Sequence, residues 1–188
     1  MEKQITIFCK SHSRLTRKNY YHKINNMIHL IVGNTGSGKT TYAAELKQKT
    51  KGIVFSIDKW NNTLFLADKK PEDGLDWFLE RIERAERIMM NLIEQLEAAN
   101  TDSILDLGLS KFKHREKFGT FASDKGYEVQ LHFLDISKET RLSRVLQRNE
   151  EKGATFEFEV STENFDFMED WFERPSKTEM KDGILITE

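Results

Sequence analysis

Cysteine is nearly absent: Cys9 stands alone among 188 residues. No disulfide framework can therefore form within the chain, which suits a reducing, cytoplasmic-type compartment. No apolar run approaches the length of a membrane-spanning helix, and the opening residues lack an apolar signal-peptide core. An excess of one charge sign is missing too. With 29 Lys and Arg against 31 Asp and Glu, the net charge is −2. A whole-chain field favouring nucleic acid or a membrane surface is thereby excluded. Histidine and cysteine nowhere cluster at metal-ligand spacing, and there is neither an internal repeat nor a low-complexity stretch.

What is present suits one domain with a real core: 38% hydrophobic and 32% charged residues. The charge is uneven along the chain. Residues 1–26 carry Lys3, Lys10, Arg14, Arg17, Lys18 and Lys23 against the single acid Glu2. Three readings stand side by side: a disordered basic arm, an organelle-targeting peptide, or sequence upstream of the working domain. We take 1–26 as a basic arm and 27–188 as the domain.

Met27–Val32 is an almost continuous apolar run, the pattern of a strand buried on both faces of a parallel sheet. Gly52–Ile57, Ser103–Leu107, Val129–Leu134 and Gly183–Thr187 read as four more strands. Between them lie helical patterns over Thr40–Lys49, Leu75–Ala99, Lys111–Lys125 and, from the cap Ser137, to Glu151 with Gly153 as terminator. A further short helix is expected from the cap Thr162 to Phe172. Residues 61–74 read as a loop. Over Leu75–Ala99 the residues Leu75, Phe78, Leu79, Ile82, Ala85, Met89, Leu92, Ile93 and Leu96 form one apolar stripe. Strands alternating with helices predict an α/β fold: a five-stranded parallel sheet with helices on both faces.

The first strand runs into Gly33-Asn34-Thr35-Gly36-Ser37-Gly38-Lys39-Thr40, a full match to G-x-x-x-x-G-K-[ST], followed by Thr41. Each residue type has a physical task. Glycines permit backbone angles that aim successive N–H groups into an anion-binding concavity. The following helix points its positive N-terminus at the phosphates. Lys39 brings full charge to the β- and γ-phosphates, and Thr40 offers a hydroxyl to Mg²⁺. The expected cofactors are ATP and Mg²⁺, bound over Gly33–Thr41.

What happens to the nucleotide is a separate question. There is no N-K-x-D guanine-reading stretch, no D-x-x-G switch after the third strand, and no acid pair closing that strand. Those absences disfavour a GTPase or a mechanical ATPase. Asp58 follows the second strand, at the carboxyl end where ligands bind in such sheets. It can serve as general base to an acceptor hydroxyl, or simply cap the next turn. Arg141, Arg144 and Arg148 fall within about a 60° arc of one helix face. Such a comb can clamp phosphate oxygens, or form a solvated basic face.

These features in order, GNTGSGKTT, FSIDKW, ILDLGLSKFKHREKF and HFLDISKETRLSRVLQRN, resemble the small P-loop kinases of the AAA-type predicted-kinase group. Their relatives include chloramphenicol phosphotransferase, gluconate kinase, the 5′-kinase domain of polynucleotide kinase and the zeta toxins. The resemblance runs from Met27 to about Glu188. It implies a three-layer, nucleoside monophosphate kinase-like fold with a helical lid carrying arginines. By the same resemblance Asp58 activates the acceptor, Arg144 and Arg148 clamp the phosphates with Arg141 assisting, and Asp106 joins Thr40 near Mg²⁺. The catalytic set is then Lys39, Asp58, Arg144 and Arg148. Lys59, Trp60 and Asn61 depart from the residues that polynucleotide and gluconate kinases place after the second-strand acid, so the acceptor stays open. A small-molecule or nucleotide acceptor is expected, with no long nucleic acid and no membrane. The alternatives are a nucleotide-binding ATPase or switch module without an acceptor, and a kinase of sugar nucleotides like the zeta toxins.

Trp60, Phe65, Trp77, Arg81, Arg84 and Arg87 are candidates for the acceptor side. Against this, Phe65 and Trp77 fit the core, and the arginines pair with Glu80, Glu83 and Glu86 on a solvated helix face. His29 and His132 read as structural, and His114 as a weaker substrate candidate. Glu163, Asp166, Glu169 and Asp170 read as a solvated face of the last helix.

Overall fold

In the computed structural model, residues 26–153 and 156–188 are described. The basic arm expected over 1–26, and Cys9 with it, lies outside the described residues except for Asn26. The Asn26 side-chain amide donates to the Glu97 carbonyl at 2.9 Å.

The elements alternate as the sequence predicts: β1 (Met27–Gly33), α1 (Lys39–Thr50), β2 (Ile53–Ser56), α2 (Ile57–Leu64), a 3-10 turn (Leu66–Asp68), α3 (Leu75–Ala98), β3 (Ser103–Asp106), α4 (Phe112–Lys125), β4 (Glu128–Leu134), α5 (Lys138–Glu151), α6 (Thr162–Trp171) and β5 (Ile184–Ile186). The five strands of the described residues are all parallel, in the order β2-β3-β1-β4-β5. The chain winds first to one side of β1 and then to the other. The crevice at the carboxyl end of β1 is therefore the switch point of the sheet, where doubly wound folds bind ligands.

Alternation along the strands sorts the core into two faces. Ile28, Leu30 and Val32 of β1 pack with Phe55, Leu105, Leu131 and Phe133 against α3 (Ala85, Met89, Ile93) and α4 (Phe118, Ala122). On the opposite face Ile31, Ile104 and Leu134 pack against Ala43, Tyr42 and Leu46 of α1. Helices thus cover both faces, the three-layer arrangement expected of a P-loop fold. A third small cluster, Val145, Val160 and Phe165, joins α5 to α6.

Three expectations need correction. Residues 61–74 are not all loop: α2 extends from Ile57 to Leu64. Asn61, Asn62 and Thr63 are poor helix formers in isolation, and tertiary contacts override them. Ile57 is buried, Trp60 meets Phe55 edge-on with centroids 6.2 Å apart, and Phe65 packs against the core. In addition, α5 stops at Lys152, which takes the left-handed conformation itself (φ 45°), rather than at Gly153. The cap of α6 is Ser161, whose hydroxyl accepts from the Asn164 N–H, rather than Thr162.

Candidate nucleotide and phosphoryl-acceptor site

The cradle begins with what α1 lacks. The N-cap side chains of α5 and α6 are serines that accept hydrogen bonds from their own first turns, whereas α1 is capped by Gly38 with no side-chain bond. Its first-turn N–H groups therefore keep their capacity for an anion. Gly38 has φ 92° and Gly36 φ 80°, angles that β-carbon residues rarely adopt. At Gly36 a β-carbon would also lie 2.4 Å from the Arg141 carbonyl oxygen and 2.9 Å from a Val145 methyl. The glycine is the contact that lets α5 lie on the loop.

Lys39 is half-buried, and its Nζ donates back to the Asn34 carbonyl at 3.2 Å. Enclosure by the loop pulls its ammonium below the usual lysine range, against the opposing pull of Asp106 and Asp58. The Thr40 hydroxyl donates to Asp106 Oδ2 at 2.8 Å, which joins α1 to the end of β3. Asp58 sits in the first turn of α2, one residue past the strand-end position expected of it. It keeps an open face to the cleft, yet the surrounding walls push its carboxyl above the ordinary value. The Asp106 carboxylate adds to this shift, and Lys39 opposes it.

The three arginines separate. Arg141 is buried and fully engaged: Nε donates to the Ile136 carbonyl at 3.0 Å, and Nη1 to the Thr35 carbonyl at 3.2 Å. Its fork grips Glu169 at 2.6 and 2.8 Å. It braces the loop rather than facing the cleft. Arg144 is exposed and reaches the Ser37 carbonyl at 3.4 Å. Arg148 is half-buried, with a buried Nε that has no hydrogen-bond partner among the protein's described atoms.

Sequence reasoning missed Glu169, placed on a solvated face. Its carboxylate instead takes the Arg141 fork and the side-chain amide of Asn34, so α6 is tied to the loop through α5. The Arg141 hydrogen bonds hold it below the ordinary carboxylate range. The signal was present in the i, i+4 pair Phe165 and Glu169, which shares a helix face with a buried aromatic.

Gly33, Lys39, Thr40, Asp58, Asp106 and Arg148 line one cleft of about 1020 Å³. That volume stands at the upper end of the usual range for small-molecule clefts. None of Trp60, Phe65, Trp77, Arg81, Arg84 and Arg87 lines it. Arg81 stacks on Trp77 at 3.7 Å, and Arg84 pairs with Glu80. Glu86, expected in solvent, is 2% exposed and paired with His114 and with Lys117 at 2.7 Å. His114 is thereby committed between α3 and α4, outside the cleft. Among the described residues no helix is long and apolar enough to cross a membrane, and no group of three or more His, Cys, Asp or Glu gathers as a metal cluster.

Residues 28–175 match the AAA domain family, and the chain belongs to it. Its fold is similar to Chaetomium thermophilum Kti12 in complex with ADP-AlF3 (TM-score 0.62, 16% identity, 86% of this chain and 88% of that one). It is similar as well to the Mycobacterium tuberculosis APS kinase CysC in complex with AMPPNP and APS (TM-score 0.60, 16% identity, 87% and 88%). A putative kinase from Chloroflexus aurantiacus aligns with TM-score 0.63 and 16% identity over 88% of this chain and 86% of that one. No curated protein sequence matches the chain. The chain carries an AAA domain with the P-loop signature, in a fold that these solved proteins share.

Proposed function

We propose that the protein is an ATP-dependent phosphotransferase that moves the γ-phosphate to a hydroxyl of a small molecule. The observation that carries this reading is the convergence of Lys39, Thr40, Asp106 and Asp58, from the ends of β1, β2 and β3, on one cleft with Arg144 and Arg148 on α5.

Gly33, Asn34, Thr35, Gly36, Ser37, Gly38, Lys39, Thr40 and Thr41 form the nucleotide cradle, with backbone N–H groups on the phosphates and Lys39 on the β- and γ-oxygens. The Thr40 hydroxyl and the Asp106 carboxylate, already in contact, are a hard-oxygen pair suited to Mg²⁺ in company with phosphate oxygens and water. When bound there, the ion neutralises charge on the β- and γ-phosphates. Asp58 accepts the proton of the acceptor hydroxyl as its oxygen bonds to the γ-phosphorus and the bond to the β-phosphate oxygen breaks, leaving ADP. A carboxyl held above its ordinary value is a better proton acceptor at neutral pH than an unperturbed one. Arg144 and Arg148 hold the charge spread over the transferring oxygens. No bound group changes oxidation state.

The test is γ-labelled ATP with Mg²⁺ and a small-molecule cell extract, comparing wild type with Asp58→Asn. Label entering a new product with wild type alone identifies a kinase and isolates its acceptor. Free phosphate released by both at similar slow rates would replace the kinase with an acceptor-free nucleotide module.

A further inference from the structure

The apolar stripe of α3 is longer than the sheet can cover. Ala85, Met89 and Ile93 are buried in the core, while Leu75 is 49% exposed; Leu75 and Phe78 line the cleft, and so does Ile82 from the edge of the core. Leu66 of the 3-10 turn joins them, and Phe158 and Phe167, 48% and 50% exposed, line the same cleft from the segment before α6 and from α6 itself. Single exposed apolar side chains need no explanation. Several from separate segments lining one concavity beside Asp58 do.

The walls are braced. The Asn62 amide donates to the Glu157 carbonyl at 3.2 Å and to its carboxylate at 3.0 Å, which ties α2 to the segment before α6. Glu169 ties α6 itself to Arg141 and Asn34. Positive charge at this end is sparse. Besides Asp58 there are the carboxylates of Glu151, in the lining, and Glu157, whose charge acts on Asp58, and one cation, Lys69, whose Nζ lies 5.7 Å from the Phe78 ring centroid and 3.3 Å from the Lys70 carbonyl. An acceptor bearing a phosphate or carboxylate would call for an arginine fork. Arg81 and Arg84 are spent on Trp77 and Glu80 outside the cleft, and Arg144 and Arg148 stand on α5 beside the phosphate cradle. One polar atom here is unsatisfied. Asn61 Oδ1 is buried without a hydrogen-bond partner, three residues from Asp58 on the same face of α2. Its residue lines the cleft, so a donor on a ligand would relieve the cost of that orphan.

We propose that the phosphoryl acceptor is an uncharged compound with neighbouring hydroxyl groups on an apolar body. Its body lies between α3 and α6, one hydroxyl meets Asp58, and a second donates to Asn61 Oδ1. The inference rests on the kinase reading, yet its test needs no turnover. Calorimetry on the full chain with Mg²⁺ and a non-hydrolysable ATP analogue would compare linear alkane-1,2-diols of increasing length, 1-hexanol, gluconate and glycerol 3-phosphate. Affinity for the diols should rise about fourfold per added methylene. Phe78→Ala and Leu66→Asp should weaken the longer diols about tenfold while leaving affinity for the ATP analogue unchanged. Asn61→Ala should remove the advantage of hexane-1,2-diol over 1-hexanol.

A series flat in chain length, as when the apolar walls serve only to meet each other, would overturn the inference. So would tighter binding of gluconate or glycerol 3-phosphate than of any diol. The two readings fail separately. Graded diol binding without transfer of label sinks the kinase and keeps the cavity, whereas label on an anionic acceptor keeps the kinase and sinks the cavity.

Discussion

At the scale of single residues, the site divides into groups that face the cleft and groups that hold them there. Lys39→Ala should abolish tight ATP binding in an equilibrium titration, since the one full positive charge within the loop is lost. Arg148→Ala is expected to behave differently. Its buried Nε has no partner among the described atoms; under the proposed phosphotransfer it would meet an oxygen during transfer, so turnover should fall about a hundredfold or more with little change in ATP affinity. Equal losses in both would mean that Arg148 only binds. Glu169→Gln belongs to the holding set. It leaves the buried Arg141 without its anion, and thermal or denaturant unfolding should show a loss of about 2 kcal/mol. Nucleotide affinity should weaken alongside through Asn34. The turn of the loop was legible, because the G-x-x-x-x-G-K-[ST] spacing marks where the backbone turns through the positive φ of Gly36 and Gly38. Glu169 and Arg141 were not, because a carboxylate on a helix rich in acids looks solvated until the partner element is placed against it.

Among the elements, those with strong period and clear punctuation were readable. α3 announced itself through its stripe, and the end of α4 through Gly126, which takes φ 71° as a left-handed cap. What the stripe did not reveal is that its first turns leave the core and line the cleft, since periodicity reports which face is apolar and not what covers it. α2 was hidden for a different reason. Ile57, Trp60, Leu64 and Phe65 carry a helical spacing, but the Asn-Asn-Thr stretch between them argues for a turn when read alone. The same elements respond differently to change. Phe118→Ala, at 0% exposure in α4, should cost about 3–5 kcal/mol in a denaturant titration. Gly36→Ala should act through α5: the added methyl collides with the Arg141 carbonyl at an angle alanine resists, so both the melting temperature and nucleotide affinity should drop.

The molecule as a whole carries a buried polar chain across the α1 face of the sheet. Tyr42 Oη lies 2.8 Å from His132 Nδ1, His132 Nε2 lies 2.9 Å from His29 Nδ1, and His29 Nε2 lies 3.3 Å from Asp102 Oδ2. Running donors in one direction from the tyrosine to the carboxylate satisfies every member with both imidazoles neutral. Burial accordingly lowers both histidines, His132 to about 4 with the neighbouring His29 adding to the shift. A base whose folded pKa lies below its unfolded value stabilises the fold above the unfolded value and loses that contribution as the pH falls through the folded one. Between about pH 6.5 and pH 4 the domain should therefore lose up to about 3 kcal/mol from His132 alone. Melting temperatures measured across that range would check it, and His132→Asn, which cannot charge there, should flatten the slope. The parallel sheet with helices on both faces followed from the alternation of strands and helices. The pairing of two strand histidines did not, because adjacency of β1 and β4 is a property of the finished sheet.

Glu169 has one more consequence. It belongs to α6, which supplies Phe167 to the cleft, and it holds Asn34 of the glycine-rich loop whose neighbours Gly33 and Thr35 line the other part. A molecule that settles either half stiffens a strut shared with the other. Thermodynamic reciprocity then requires the two affinities to change by one common factor. If the strut transmits, the nucleotide analogue should tighten acceptor binding as much as the acceptor tightens the analogue, and in Glu169→Gln the two occupants should become indifferent to each other.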